Sequence, residues 1–199
     1  NPLAVKYYLK LGAKIIWMPT LHARNQIEYF GRDPFANHPG IRLLDENGDL
    51  KPEVLEILDL IKEYDATIAT GHISIGESIA VCNAARERGV RTVLTHPDWT
   101  CTTVPADVQT QLVKKGVILE KLWFDIGINH VTAEYMAQTI RDAGVENCFM
   151  ATDRGQSGKE YPVEGLMMFM DAMLDCGFSV EEIHIMTHEN PERVLGLRP

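Results

Sequence analysis

The chain lacks most of the short signatures that would assign a chemistry at once. It has no G-x-G-x-x-G, so a Rossmann reading loses its main support, and no G-x-x-x-x-G-K phosphate loop. It has no H-E-x-x-H and no G-x-S-x-G nucleophile elbow, and "HEN" at 188–190 is not a zinc-protease motif. It has little cysteine: Cys82, Cys101, Cys148 and Cys176 show no C-x-x-C spacing and read as reduced, mostly buried thiols of a cytoplasmic protein. It lacks positive charge. Nineteen Lys and Arg against 28 Asp and Glu leave a formal net charge of -9, so there is no basic stripe to neutralise phosphates and nucleic acid is excluded as a partner. No apolar run is long enough to span a bilayer, and no signal-peptide pattern is present, so no membrane is expected.

What is present is ordinary in amount and regular in order. The 199 residues, 45% apolar and 24% charged, suffice for one domain with a real core. Asn1 and Pro2 open a helix that Gly12 stops. "KIIWMPT" (14–20) reads as a buried strand, and 21–50 as a long irregular loop of the kind that usually covers a functional site. Pro52 starts a helix with Val54, Leu55, Leu58 and Ile61 on one face. Strands follow at 67–73, 91–97, within 117–127 and at 148–153. They are separated by a helix that the Ser74/Glu77 capping box opens, a helical stretch over 105–115, and a helix from Thr132 to Ala143. A helix over 163–176 and two short helices within 179–197 close the chain. This is α/β alternation, about five βα units, and implies a parallel sheet covered by helices: an open doubly wound sheet or part of a (β/α)8 barrel.

The polar residues collect at the C-terminal ends of these strands, where both architectures bind ligands. His72, His96 and Asp153 are expected to converge at one mouth. Two neutral imidazoles and a carboxylate suit a divalent metal such as zinc, which would activate water while the carboxylate takes its proton. Singly, a His after a strand is more often a structural hydrogen-bonding residue and an Asp a helix cap; three together on three strand ends point to a shared site. Asp125 reads as a second ligand or a cap. Arg154 and Gln156 stand where an anionic or amide substrate would bind, with a solvated or ion-paired role the alternative for Arg154. His130 is a loop residue near the same mouth, and His38, His184 and His188 read as surface residues.

"TGH" at 70–72, "THPDW" at 95–99, "ATDRG" at 151–155 and "ENPERVLGL" at 189–197 resemble the amidohydrolase superfamily of metal-dependent hydrolases, in particular a branch in which "LGAKIIWMPT" (11–20) precedes a long loop. The resemblance covers essentially the whole chain. It implies a TIM-barrel-like fold of which strands four to eight are present, with His72 and His96 as metal-binding or carbonyl-polarising residues of the fifth and sixth strands. Asp153 of the eighth would be metal ligand and general base. The superfamily's first-strand H-x-H pair is absent from these 199 residues. The first three strands would then come from an N-terminal part of the barrel, in the same or another polypeptide, since five strands cannot close a barrel of eight.

The expected function is a metal-dependent hydrolase of an amide, lactone or ester-like bond in a small-molecule substrate, using zinc or else Mn, Fe or Ni. His96 and Asp153 would be catalytic, and the 21–50 loop would cover the substrate with Trp17, His22 and Arg42 as contacts. The alternatives are a metal-dependent decarboxylase or other lyase of the same superfamily, or a metal-free scaffold subunit. An unfinished barrel also implies self-association into a homo-oligomer or a partner chain.

Overall fold

The computed structural model describes residues 1–32, 38–127 and 131–197. Five strands, β1 (Ile15–Trp17), β2 (Thr67–Ala69), β3 (Arg91–Leu94), β4 (Val117–Leu122) and β5 (Cys148–Ala151), form one sheet in the order β1-β2-β3-β4-β5, every pair parallel. Helix α1 (Pro2–Lys10) precedes them, α2 (Arg24–Phe30), α3 (Pro52–Glu63), α4 (Ile75–Glu87), α5 (Ala106–Val113) and α6 (Ala133–Ala143) lie between them, and α7 (Pro162–Asp175) follows β5. This is the expected α/β alternation, with consecutive strands as neighbours, as in a barrel. The four cysteines are unpaired. No helix among the described residues is long and apolar enough to cross a membrane.

The alternation of side chains along each strand sorts the sheet into two faces. One face is covered by helices: Ile68 meets Val54, Leu58 and Ile61 of α3, and Leu94, Leu119 and Met150 meet Leu112, Met136, Ile140, Phe169 and Met173 of α5 to α7. The other face carries Ala69, Val93, Ile118 and Phe149, which cluster with Val194 from the C-terminal helical run. The capping boxes at Ser74/Glu77 and Ser179/Glu182 both form, and the Thr132 side chain caps α6.

The C-terminal run corrects the expected pair of short helices. α8 (Val180–His184) passes through a π-helical stretch, Ile185–Glu189, into α9 (Asn190–Val194) without leaving helical backbone. The widened turn admits Pro191, which has no N–H to give the ladder. Asn190, almost fully buried, donates to the carbonyls of Val145 and Cys148 at 2.8 and 2.6 Å, and Thr67 donates to the carbonyl of Val194 at 2.6 Å. The "ENPERVLGL" segment therefore closes the N-terminal ends of the strands, opposite the ends where the polar residues gather.

Residues 21–50 are not a bare loop. They contain α2 and two isolated bridges, Ala23 to Ile41 and Leu44 to Leu50. The backbone of Met18 and Pro19 lies so close to Gly71, which has φ +65°, that a Cβ there would sit 2.4 Å from the Met18 carbonyl oxygen. Gly71→Ala should therefore lower the unfolding free energy by at least about 2 kcal/mol, read as a lower urea midpoint at unchanged slope.

Candidate active site at the C-terminal strand ends

Three strands hand their chains on to the site in similar ways. β2 ends and Thr70–Gly71 lead to His72, β3 leads through Thr95 to His96, and β5 leads through Thr152 to Asp153. His96 (φ 49°) and Asp153 (φ 47°) occupy the left-handed region, which non-glycine residues rarely adopt and which concentrates at functional sites. The His96 peptide is held on both sides: the Thr102 hydroxyl donates to its carbonyl at 2.6 Å, and its N–H is bonded by the Glu120 carboxylate. One residue earlier, the Thr95 N–H donates to the Thr70 hydroxyl at 2.9 Å, tying two strand ends together.

The side chains meet. His96 lies between two carboxylates, its Nδ1 3.1 Å from Asp125 Oδ1 and its Nε2 3.3 Å from Asp153 Oδ2. The His72 and His96 rings are 5.3 Å apart. His72 Nδ1 is 2.5 Å from Gln26 Oε1 of α2, and with Nδ1–H donating to that oxygen, Nε2 keeps its lone pair. Burial, helped by the charge of His96, pushes the His72 pKa down to about 4, so the ring is neutral near pH 7. For His96 burial acts in the same direction, but the hydrogen bonds its ring donates to Asp125 and Asp153 outweigh it and raise its pKa to about 9. Asp125 is pushed upward by its own burial, so the proton shared in this cluster resides on the ring that has a carboxylate at each nitrogen. Glu120 projects from β4 on the face opposite the helices, and burial lifts it to about 7.

Two adjoining cavities, of about 510 and 380 Å³, share Leu21, His72, His96 and Asp153 in their walls. The larger opens between Phe30, Trp99 and Phe124; the smaller runs toward Trp17, Glu120 and Leu122. Trp99 lines the larger cavity beside the histidines, 5.0 Å from His72, 5.2 Å from His96, 5.8 Å from Phe30 and 6.3 Å from Phe124 by ring centroids.

The sequence-derived candidates divide accordingly. His72, His96, Asp153, Trp17 and Gln156 reach the mouth; Gln156 also donates to the Asp153 carbonyl at 2.8 Å, which fixes the turn that carries the carboxylate. Asp125 is fully buried and lines neither cavity, so it cannot contact substrate; the single 3₁₀ turn Trp123–Asp125 after β4 sets it behind His96. Arg154 turns away into an ion pair with Glu160 at 2.5 Å, which also receives the Trp123 indole N–H. Arg42 pairs with Glu28 at 3.1 Å and lines a separate, charged cavity of about 460 Å³ with Arg24 and Glu77. His22 faces His38, 4.2 Å away, and lines none of the cavities around His72. His130 lies outside the described residues. The residues that sequence reasoning did not single out are Gln26, Phe30, Trp99, Phe124 and Glu120. A signal existed for two of them: Trp99 stands three residues after His96, and Glu120 is a charge that alternates with the helix-facing side chains in a strand that is apolar apart from Glu120 and Lys121.

Two donors fit a divalent ion as they stand, the neutral His72 imidazole with one nitrogen engaged by Gln26 and the Asp153 carboxylate, which is 48% exposed; His96, protonated between its two carboxylates, would give up the proton at Nε2 to join them. They supply only part of a coordination shell, because among the described residues no three His, Cys, Asp or Glu side chains are grouped closely enough to hold a metal.

Comparison of the fold with solved structures gives an amidohydrolase from Pseudomonas aeruginosa at TM-score 0.68 and 14% identity, covering 98% of this chain and 67% of that one. A metallopeptidase from Rhodobacter sphaeroides, liganded with a phosphinate mimic of the dipeptide L-Ala-D-Ala, matches at TM-score 0.63 and 13% identity, over 97% of this chain and 58% of that one. The 2,6-dihydroxybenzoate decarboxylase from Rhizobium matches at TM-score 0.55 and 9% identity, over 99% and 68%. At these identities the likeness is one of fold: the five parallel βα units are arranged as in part of a TIM-barrel-like α/β fold, the fold class the motifs implied. The chain spans 58% to 68% of the length of these neighbours. No curated protein sequence matches it. Residues 1–120 match DUF6282, described as a family of unknown function.

Proposed function

The chain belongs to DUF6282, a family of unknown function, and from its strand-end cluster we propose that it forms the catalytic part of a metal-dependent hydrolase acting on an amide, ester or lactone bond of a small molecule. The observation that carries the reading is the meeting of His72, His96 and Asp153 at the C-terminal edge of a parallel sheet, two of the three held in left-handed backbone. These residues would hold a divalent ion, zinc being the first choice for two imidazoles and a carboxylate. Such an ion supplies Lewis acidity to a carbonyl oxygen and to water. Asp153, half exposed at the mouth, accepts the proton of the attacking water. Asp125 fixes the His96 ring from behind, so that Nε2 is presented to the reacting centre beside Asp153.

The remaining ligands come from outside these residues. Among the described residues β1 and β5 are the edges of the five-stranded sheet, and on this reading further βα units would close it into a barrel. Tyr7 and Tyr8 of α1, Leu11 just after it, and Val163, Met167 and Met168 of α7 are exposed apolar side chains that flanking βα units would cover. Those units belong to the same chain or to a partner. A decarboxylase on the same residues is the second reading, favoured by the aromatic wall of the larger cavity.

The test is metal content. Full-length protein purified without chelators should carry about one or two zinc-like ions per chain, and His72→Ala should lower that content and the thermal stabilisation given by added zinc. Protein that takes up no metal even after reconstitution would sink the hydrolase and decarboxylase readings together.

A further inference from the structure

We infer that the larger cavity binds a small aromatic carboxylate, its ring against Trp99 between Phe30 and Phe124 and its carboxylate at Arg32; this rests on the hydrolase reading for the reacting end only. A continuous line of groups leads out from the reacting centre. Asp153 is 3.3 Å from His96, whose ring lies 5.2 Å from Trp99; Trp99 lies 5.8 Å from Phe30, and the Arg32 guanidinium carbon stands 6.0 Å from the Phe30 ring. Phe124 closes the other side, 6.3 Å from Trp99.

Three features of this line select the ligand. Flat side chains that meet at tilted or edge-on angles leave a slot matched to another planar ring, which gains offset or edge-to-face contact that a floppy aliphatic chain does not. Phe30 is 40% exposed on the cavity wall beside a cluster of ionisable groups, an apolar surface that a bound ring would cover. Arg32 lines the same cavity and makes no ion pair among the described residues, so its forked donor set is available to a carboxylate. The other arginine near this wall, Arg154 (5.7 Å from the Phe124 ring), is already neutralised by Glu160 and does not compete for the role. A ligand anchored at Arg32 with its ring on Trp99 directs its remaining substituent toward His96 and Asp153, where a susceptible bond would be placed.

Calorimetric titration of the full-length protein with benzoate, benzamide and acetate tests this, with zinc content measured on the same samples. Benzoate should bind, benzamide should bind more weakly, and acetate should give no saturable heat. Arg32→Gln, a substitution at an exposed position that leaves folding alone, should weaken benzoate about tenfold and leave benzamide unchanged. Trp99→Leu should weaken both ligands, and Trp99→Phe should restore most of the loss. Acetate binding as well as benzoate, or benzoate affinity unchanged in Arg32→Gln, would overturn the inference, the latter because the carboxylate would then be held by the metal or the histidines. Benzoate failing to bind zinc-loaded protein overturns the ligand class and leaves the hydrolase reading standing. Arg32-dependent benzoate binding to protein that holds no zinc removes the hydrolase reading and supports the ligand class.

Discussion

Lys121→Met should lower the unfolding free energy by about 3–5 kcal/mol, the cost of leaving one charge of a buried pair alone. Lys121 is fully buried on the helix-covered face of β4, and its ammonium donates to Asp98 Oδ2 at 2.7 Å, Gln109 Oε1 at 2.9 Å and Thr139 Oγ1 at 2.9 Å. Three donors meet three acceptors, so nothing polar on the ammonium is wasted. The methionine would leave the Asp98 carboxylate, itself buried, with Gln109 Nε2 at 3.0 Å as its remaining side-chain donor. Lys121→Met combined with Asp98→Asn should recover more than half of the loss, because the uncompensated charge is gone and an amide can still bond Gln109. Urea unfolding of the two single variants and the double variant measures this coupling. Additive losses would show that the ammonium and the carboxylate do not act as a unit. The effect should reach the site as well: Gln109 Nε2 also bonds the carbonyls of Val104 and Pro97, so the network anchors the segment that carries His96 and Trp99.

How far the sequence revealed this molecule depends on how local each cause is. The strand–helix alternation was legible because its signals are local: Ser74 with Glu77, Thr132, and Ser179 with Glu182 stand where the chain enters α4, α6 and α8. The convergence of His72, His96 and Asp153 was legible because parallel strands bring their C-terminal ends to one edge. α2 was not legible. It has no side-chain cap at Ala23 and no buried residue, so it shows neither a start signal nor an apolar stripe. The fate of the polar candidates was decided by partners that spacing does not reveal. Arg154 is taken by Glu160 across a turn, Arg42 by Glu28 fourteen residues away, and Asp125 disappears behind His96 because one 3₁₀ turn follows β4. The aromatic wall escaped notice because Phe30, Trp99 and Phe124 come from three separate connections and no period links them.

Asp153→Asn should reduce turnover by about 10²–10⁴-fold while changing stability by no more than about 0.5 kcal/mol. The two halves of this expectation have separate causes. Turnover falls because an amide cannot accept the proton of water, although it keeps the shape of the carboxylate. Stability holds because Asp153 is half exposed, its backbone is fixed by Gln156, and asparagine tolerates φ 47° at least as well as aspartate does. Asp125→Asn provides the contrast. Asp125 is fully buried with His96 Nδ1 at 3.1 Å, so its replacement should weaken both properties: turnover by about 10–100-fold, the usual loss for a residue that orients another, and stability through the charged hydrogen bond given up inside the protein. Full-length protein assayed on its substrate and melted in parallel separates the two residues. If Asp153→Asn retains wild-type turnover, the proton of the attacking water goes elsewhere, and Glu120, the other carboxylate lining the mouth beside His96, becomes its acceptor.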